Sequence, residues 1–450
     1  VAVLAVLVVF VAALGQLGRD PAPFFVGGWT GTDGSALGIQ LTLDGLSSLL
    51  LVVVNTVALF AALYSTRYME RYTEKAKYWS LFLLMLAGMN GVVLSGDLFN
   101  LYVFLEVAAL ASYALVAFGT GATELEASFK YQVMGTIGSA AILLGIALIY
   151  GLTGTLNMAA VGEALAGKTT STPVLFAEVL FLVGFGLKSA QVPFHAWLPD
   201  AHPSAPAPIS AMLSGVLIKS LGVYALVRIF FCVIGPTRPV GIALMTIGSF
   251  SMVMGVVLAL GQRDIKRMLA YSSVSQVGYL LLAFGVAAAA MTKSPAAAGL
   301  ALLGALFHLA NHATFKSLLF LNSGAIEHQT GTRDLEELGG LRHAMPATSA
   351  TGIVGSLAIA GVPPFNGFWS KLLIIVASVQ AGYWGLALVA TLVAVMTLTT
   401  FVRFQGAAYQ GALPTKLAAV REAPFSMVFP MVVLAALCVL LSLLLIAPFR

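Results

Sequence analysis

The chain has 450 residues, 59% of them hydrophobic and only 9% charged, with a formal net charge of +5. Soluble domains carry roughly a quarter charged residues, so this composition, with a mean hydropathy of +0.96, excludes a soluble globular protein and predicts an integral membrane one. The basic residues are spread over loops, which argues against a nucleic-acid surface.

Apolar runs of about 20 residues recur along the whole chain. They predict thirteen helices near 1–17, 40–66, 78–95, 97–118, 130–151, 174–198, 209–233, 240–261, 265–290, 297–326, 346–377, 384–409 and 425–447. No polar segment is long enough to fold as a hydrophilic catalytic module. The first run has no basic region before it, so it reads as a membrane helix rather than a cleavable signal. Lys and Arg concentrate in four loops, as Arg67, Arg71, Lys75 and Lys77, then Arg263, Lys266 and Arg267, then Arg333 and Arg342, then Lys416 and Arg421. All four follow even-numbered helices, which places them in the cytoplasm, with Val1 inside and Arg450 outside.

Two spans are interrupted. "GLKSAQVPFHAWLPDAHPSAPAPIS" carries Pro193, Pro199, Pro203, Pro206 and Pro208, and "AGVPPFNGFWSK" carries Pro363 and Pro364. Proline removes a helix donor and clashes with the preceding turn, so both helices break. Such backbone is tolerated at membrane depth only inside protein or beside a wet cavity. The two breaks resemble each other and lie about five helices apart, a spacing that suits inverted repeats.

Ionisable groups inside these spans are the candidate functional residues. Glu106, Lys188, Lys219, Lys316 and Lys371 fall within apolar helices, and His308, His312 and Lys316 share one helical stripe at spacings of four. A mid-membrane charge costs at least about 2.5–3.5 kcal/mol, so these groups must face one another, the breaks or water. Buried Lys can exchange protons near neutral pH, and neutral His can pass them on. Four Lys, one Glu and the His stripe therefore read as a proton relay. Other readings stand beside it. Glu106 could be a purely structural partner for one Lys. His308 and His312 could be packing residues or a metal pair, although no third ligand is near and Lys316 places a cation on the same stripe. His195, Asp200 and His202 could gate or merely pack. Asp44, Asp97 and Glu178 read as helix-end residues. His328 and Arg333 belong to an ordered loop, with Glu336 and Glu337 solvated. The two cysteines, Cys232 and Cys438, lie far apart in apolar runs. They supply no iron–sulfur, haem or zinc motif, so no cofactor is expected in this chain.

"KSAQVPFHAWLPDAHPSAPAPISAMLSGVLIKSLGVYALVR", "SGDLFNLYVFLEVAALASYALVAF", "HLANHATFKSLLFLNSGAIEHQTGTRDLEELGGL" and "GVPPFNGFW" together resemble the antiporter-like subunits of respiratory complex I and its relatives. The resemblance runs from about residue 30 to about 410. It is greatest for the D-type subunit of multisubunit cation/proton antiporters and for its counterpart in membrane-bound hydrogenases. It implies an all-α polytopic membrane helix bundle with two inverted five-helix repeats and two broken helices. The implied divisions are 1–96, 97–233, 240–409 and 410–450. One further helix before residue 1 is expected, which would put both termini outside. By motif, Glu106 pairs with Lys188, Lys219 connects, His308, His312 and Lys316 form the central relay, and Lys371 is the terminal group. Pro193, His195, Pro199, Pro363 and Pro364 mark the breaks. The implied function is proton translocation in a bacterial or archaeal cytoplasmic membrane. The implied partners are other membrane subunits, including homologous antiporter-like ones, and a redox arm in one subclass. Protons, and sodium in a cation/proton antiporter, are the implied cargo, and any redox chemistry sits in other chains. A non-conducting structural subunit is the contrasting expectation.

Overall fold

The computed structural model describes residues 1–19, 22–29 and 38–446. Helix α1 (Ala2–Leu14) leads to an antiparallel hairpin of β1 (Ala22–Phe25) and β2 (Gln40–Leu43), in register from Ala22↔Leu43 to Phe25↔Gln40. There follow α2 (Gly45–Tyr68), α3 (Lys75–Leu94), α4 (Leu98–Val116), α5 (Ala122–Thr153), the short α6 (Met158–Leu165) and α7 (Thr172–Ser189). After the first break come α8 (Leu198–Ser204) and a helical rod, Ala207–Val233, that starts as α9 (Ala207–Met212). The rod widens into π-helical turns at Leu213–Leu217, Lys219–Tyr224 and Arg228–Val233, around the short α10 (Ala225–Val227). The second half comprises α11 (Arg238–Leu260), α12 (Ile265–Ala290), α13 (Pro295–Thr330), the short α14 (Leu341–Ala344), α15 (Pro346–Ala360), α16 (Asn366–Gln380), α17 (Trp384–Tyr409) and α18 (Phe425–Ile446). Among the described residues, eleven helices are long and apolar enough to cross a membrane, and α1 and α15 are shorter apolar helices. Among the described residues, the chain is an all-α, polytopic integral membrane protein apart from one hairpin.

Helix α12 is buried at every position except Arg267 and Tyr271, between α11 and α13. Lipid tails are as apolar as leucine, so this packing depends on close backbone approach rather than on hydrophobic exclusion. The sequence provides for it with Gly241, Gly248 and Gly255 on α11 at seven-residue spacing. A Cβ on Gly248 would lie 2.6 Å from Leu282 N, and one on Gly241 2.7 Å from Ala289 N. At the periphery, Phe129, Leu388, Leu392 and Val395 point outward, as a lipid-facing surface requires.

The structure corrects several expected boundaries. Residues 40–43, expected in a helix, are β2, and α2 begins at Gly45 because Asp44 caps it. The Asp44 carboxylate accepts from Ser47 N at 2.9 Å while Asp44 N donates to Ser47 Oγ at 2.7 Å. Helix α5 starts eight residues before the expected 130, in polar turns that hydropathy passes over. Its Lys130 pairs with Glu126 at 2.8 Å, one turn apart. The 174–198 and 346–377 spans each stop at their break. Glu178, expected near a helix end, is the seventh residue of α7; it is 2% exposed and its Oε1 has no partner among the described residues. Three of the four basic loops are tied to one another by Arg263–Glu336 (2.9 Å), Arg333–Asp264 (3.1 Å) and Lys416–Glu337 (3.4 Å). The expected end at Arg450 lies outside the described residues.

One ion pair joins the hairpin side to the rod. The Asp44 carboxylate takes both guanidinium arms of Arg228, at 2.5 and 2.9 Å. Burial raises the Asp44 carboxyl, but the Arg228 hydrogen bond, the Ser47 N–H and the Arg228 charge outweigh it and hold the group at about 2. A lowered folded-state pKa means that this stabilisation is complete above the unfolded range near ~4 and is lost as pH falls toward 2. Asp44→Asn should cost about 3–5 kcal/mol at neutral pH by stranding Arg228. Thermal unfolding in detergent checks this, and the gap between variant and wild type should narrow below about pH 4. Glu178→Leu should leave stability unchanged or raise it, by up to about 1–3 kcal/mol, because it removes an unpaired buried oxygen; the same unfolding measurement applies.

Candidate functional site

Helix α7 ends where the first break begins. Ala190 takes a left-handed conformation (φ 55°, ψ 42°), and Gln191 N closes on Gly186 O at 3.1 Å. A side chain rarely adopts this backbone. Lys188 therefore sits in the last turn, where helix carbonyls favour a cation. It is 4% exposed. Its Nζ lies 3.4 Å from Glu106 Oε1 on α4 and 3.4 Å from the Tyr113 hydroxyl. The same Glu106 oxygen accepts from Ser139 Oγ on α5. The structure thus joins the two residues expected to pair.

The other four helix-borne groups and Lys219 sit on the central helices, all fully or almost fully buried. Lys219 lies in a π-helical turn and donates to Ser214 O, five residues back. Ser214 Oγ meets Ser273 Oγ of α12 at 2.7 Å. Lys316 on α13 donates to Leu269 O at 2.6 Å and Ser272 Oγ at 2.5 Å, both on α12. His308 Nδ1 meets Ser370 Oγ of α16 at 2.9 Å. Its Nε2 and both His312 nitrogens are buried with no partner among the described residues, and the two rings are 6.3 Å apart. Lys371, in the second turn of α16, reaches back across the second break to Ile359 O at 2.7 Å and Ala360 O at 3.5 Å, the last carbonyls of α15. Its amine also rides 4.8 Å over the Tyr279 ring. The His312 ring lies 5.4 Å from that of Phe315. The stripe read from the sequence lies buried on α13, between α12 and α16, and the Glu106–Lys188 pair lies at the end of α7, where Ser189 packs on Gly222 of the rod.

Pro193 and His195 lie in the turn between α7 and α8, and Pro363 and Pro364 lie between α15 and α16. Pro199 falls outside the break proper, because proline fits the first helical turn and α8 uses it there. Asp200, expected to gate or pack, is ion-paired on two sides. It binds Lys130 at 3.0 Å and Arg267 at 2.9 Å. His202 is fully buried with neither nitrogen partnered, stacked 4.5 Å from Phe320.

Sequence reasoning missed a second buried ionic group. Lys266, counted as a loop base, is 1% exposed and donates to Glu327 at 3.0 Å and Ala205 O at 3.2 Å. Arg333 adds a 3.4 Å contact to Glu327 and donates to Pro203 O at 2.6 Å. The available signal was position. Lys266 falls inside the helix expected over 265–290, one residue past its start.

With this geometry in hand, comparison with known proteins is specific. Residues 95–397 match the family of the NADH:quinone oxidoreductase/Mrp antiporter transmembrane region, and residues 29–79 match the N-terminus of complex I chain 5. The NADH-quinone oxidoreductase subunit N of Desulforudis audaxviator (strain MP104C) is 36% identical over 98% of this chain and 89% of its own length. A chain of the Mrp complex from Dietzia sp. DQ12-45-1b superposes with a TM-score of 0.88 at 28% identity, covering 98% of this chain and 88% of that one. A chain of the membrane-bound sulfane sulfur reductase, an archaeal respiratory membrane complex, superposes with a TM-score of 0.86 at 32% identity, covering 100% and 89%. The chain belongs to the NADH:quinone oxidoreductase/Mrp antiporter family, as an antiporter-like integral membrane subunit.

Proposed function

We propose that this chain is a proton-translocating subunit of a multisubunit membrane complex, moving protons through Glu106, Lys188, Lys219, His308, His312, Lys316 and Lys371. The observation that carries the reading is the Lys188 amine, 4% exposed and held 3.4 Å from a carboxylate at the end of an interrupted helix. Lys188 keeps its proton while Glu106 is close and releases it more readily when the pair opens. Lys219 takes up the charge next. The unpartnered nitrogens of His308 and His312 can receive a proton on one side and give it up on the other, with water bridging gaps of about 6 Å. Lys371 is the terminal group, beside the second break.

The same reading takes residues 97–233 and 240–409 as two inverted five-helix halves, each with one broken helix, between N-terminal helices (1–96) and a C-terminal segment (410–450). The basic loops face the cytoplasm of a bacterial or archaeal cell. Other membrane subunits, homologous ones among them, surround the chain. The three relatives lie at 36%, 28% and 32% identity and come from an NADH–quinone, an Mrp and a sulfur-reducing assembly. Two subclasses therefore stay in view, a redox-driven pump with its centres in partner chains and a cation/proton antiporter that also moves sodium. Mass spectrometry of the complex co-purified in mild detergent separates them: iron–sulfur, nickel–iron or flavin subunits assign the pump, and only hydrophobic subunits with a larger homologue assign the antiporter. A purely structural subunit has no use for this many buried cations.

The test is proton uptake by the parent complex in proteoliposomes. Lys188→Ala and Glu106→Gln should each lower it by roughly 10²-fold, the lower range for a positioned proton-transfer group, with the complex still assembled. Wild-type uptake by Lys188→Ala would overturn the proposal. Lys371→Met should block uptake to a similar extent, while Lys371→Glu, which keeps a titratable group, should retain part of it.

A further inference from the structure

The Glu106–Lys188 pair has a neighbour that the relay does not use. Tyr113 lies seven residues after Glu106 on α4, two turns along the same face. It is buried, and its hydroxyl is the second group 3.4 Å from Lys188 Nζ. Three features fix it there. The hydroxyl occupies a slot on α5 that exists because residue 135 is glycine; a Cβ at that position would overlap the hydroxyl oxygen. The Tyr113 carbonyl accepts from Ser128 Oγ at 2.8 Å. The ring edge meets Tyr131 at 4.5 Å and 85°.

The column continues past Tyr131. Ser112 Oγ donates to the Tyr131 hydroxyl at 3.0 Å, and the Tyr131 ring stacks flat on Trp197, 4.0 Å away and 5° from parallel. The Trp197 indole N–H donates to Leu187 O at 3.1 Å, the carbonyl next to Lys188 in the chain. Contacts therefore run from Lys188 through Tyr113, Tyr131 and Trp197 back to the residue beside Lys188. Trp197 stands at the far end of the break that contains Pro193 and His195, so the circuit ties the break turn to the amine.

We propose that Tyr113 is a positioning residue for the Glu106–Lys188 pair, offering the Lys188 amine a second acceptor. The Tyr131–Trp197 stack sets that acceptor's place according to the position of the break turn. With Glu106 alone, an opening pair would strand a buried ammonium. With Tyr113 present, the amine keeps one acceptor as the carboxylate withdraws, which lowers the barrier to separation. This inference rests on the proton-translocation reading above.

The experiment is proton uptake by the intact parent complex in proteoliposomes, with wild type, Lys188→Ala, Tyr113→Phe, Gly135→Ala and Trp197→Phe run side by side. Tyr113→Phe keeps the ring and its packing and removes only the hydroxyl. It should lower uptake about three- to tenfold, the range one hydrogen bond is worth. Gly135→Ala, which expels the hydroxyl from its slot, should reproduce that loss, and Trp197→Phe should show a smaller one. A structural role is separated by placing 2,3-difluorotyrosine at position 113. It has nearly the same shape and a more acidic hydroxyl, so it should shift the pH profile of uptake. Wild-type uptake by Tyr113→Phe, or an unmoved profile with the fluorinated residue, would overturn the inference while loss in Lys188→Ala left the relay standing. Wild-type uptake by Lys188→Ala would remove the relay and this inference together.

Discussion

The constraint on which the structure depends is the cost of holding an ammonium group at membrane depth. Each buried cation needs an acceptor, and a regular α-helix has none to spare because its carbonyls are already used. The chain meets this need by interrupting its helices. Lys371 uses the free carbonyls at the end of α15. Lys219 uses Ser214 O within widened π-helical turns, a geometry that recurs at functional positions. Lys266 binds Ala205 O just before the rod, while Lys316 is the exception, sharing Leu269 O within the unbroken α12. These acceptors are main-chain dipoles that cannot move away from their helices. Lys266 and Lys316 add the Glu327 carboxylate and the Ser272 hydroxyl, whereas the two acceptors of Lys188, the Glu106 carboxylate and the Tyr113 hydroxyl, are both side chains. In the proposed relay, the lysines anchored on main-chain carbonyls would form the path and Lys188 the switch.

Much of this could be read from the residues in order. The apolar runs placed α12 at 265–290 and α17 at 384–409, as found, because each is bounded by a strong stop. Proline density located both breaks, since the missing donor and the ring clash are local properties. The His308–Lys316 stripe followed from helix periodicity alone. The features that escaped depend on pairing over distance or on polar sequence that folds as helix anyway. Asp44 and Arg228 are 184 residues apart, and neither has a local signature of the other. Lys266 read as a loop base because its partner Glu327 belongs to another helix. The first turns of α5 hold Glu124, Glu126 and Lys130, good helix formers that a hydropathy window discards. The hairpin of β1 and β2 is short enough to be absorbed into its apolar flanks.

The buried groups fall into two tiers along α13. His308, His312 and Lys316 occupy its middle, and Glu327 lies eleven residues beyond Lys316, about 16 Å along the axis, where the basic loops converge. Phe320 stands between them and carries the stacked His202 ring. One helix therefore bears both the central cluster and an acidic residue near the basic face, with a buried imidazole beside the intervening turns. Glu327 is held by Lys266 and Arg333, so it is charge-compensated rather than free. The triad's acceptors and donors are its own, Lys266 and Arg333 on Glu327, and those of Lys316 are Leu269 O and Ser272 Oγ on α12, so each tier is satisfied within itself.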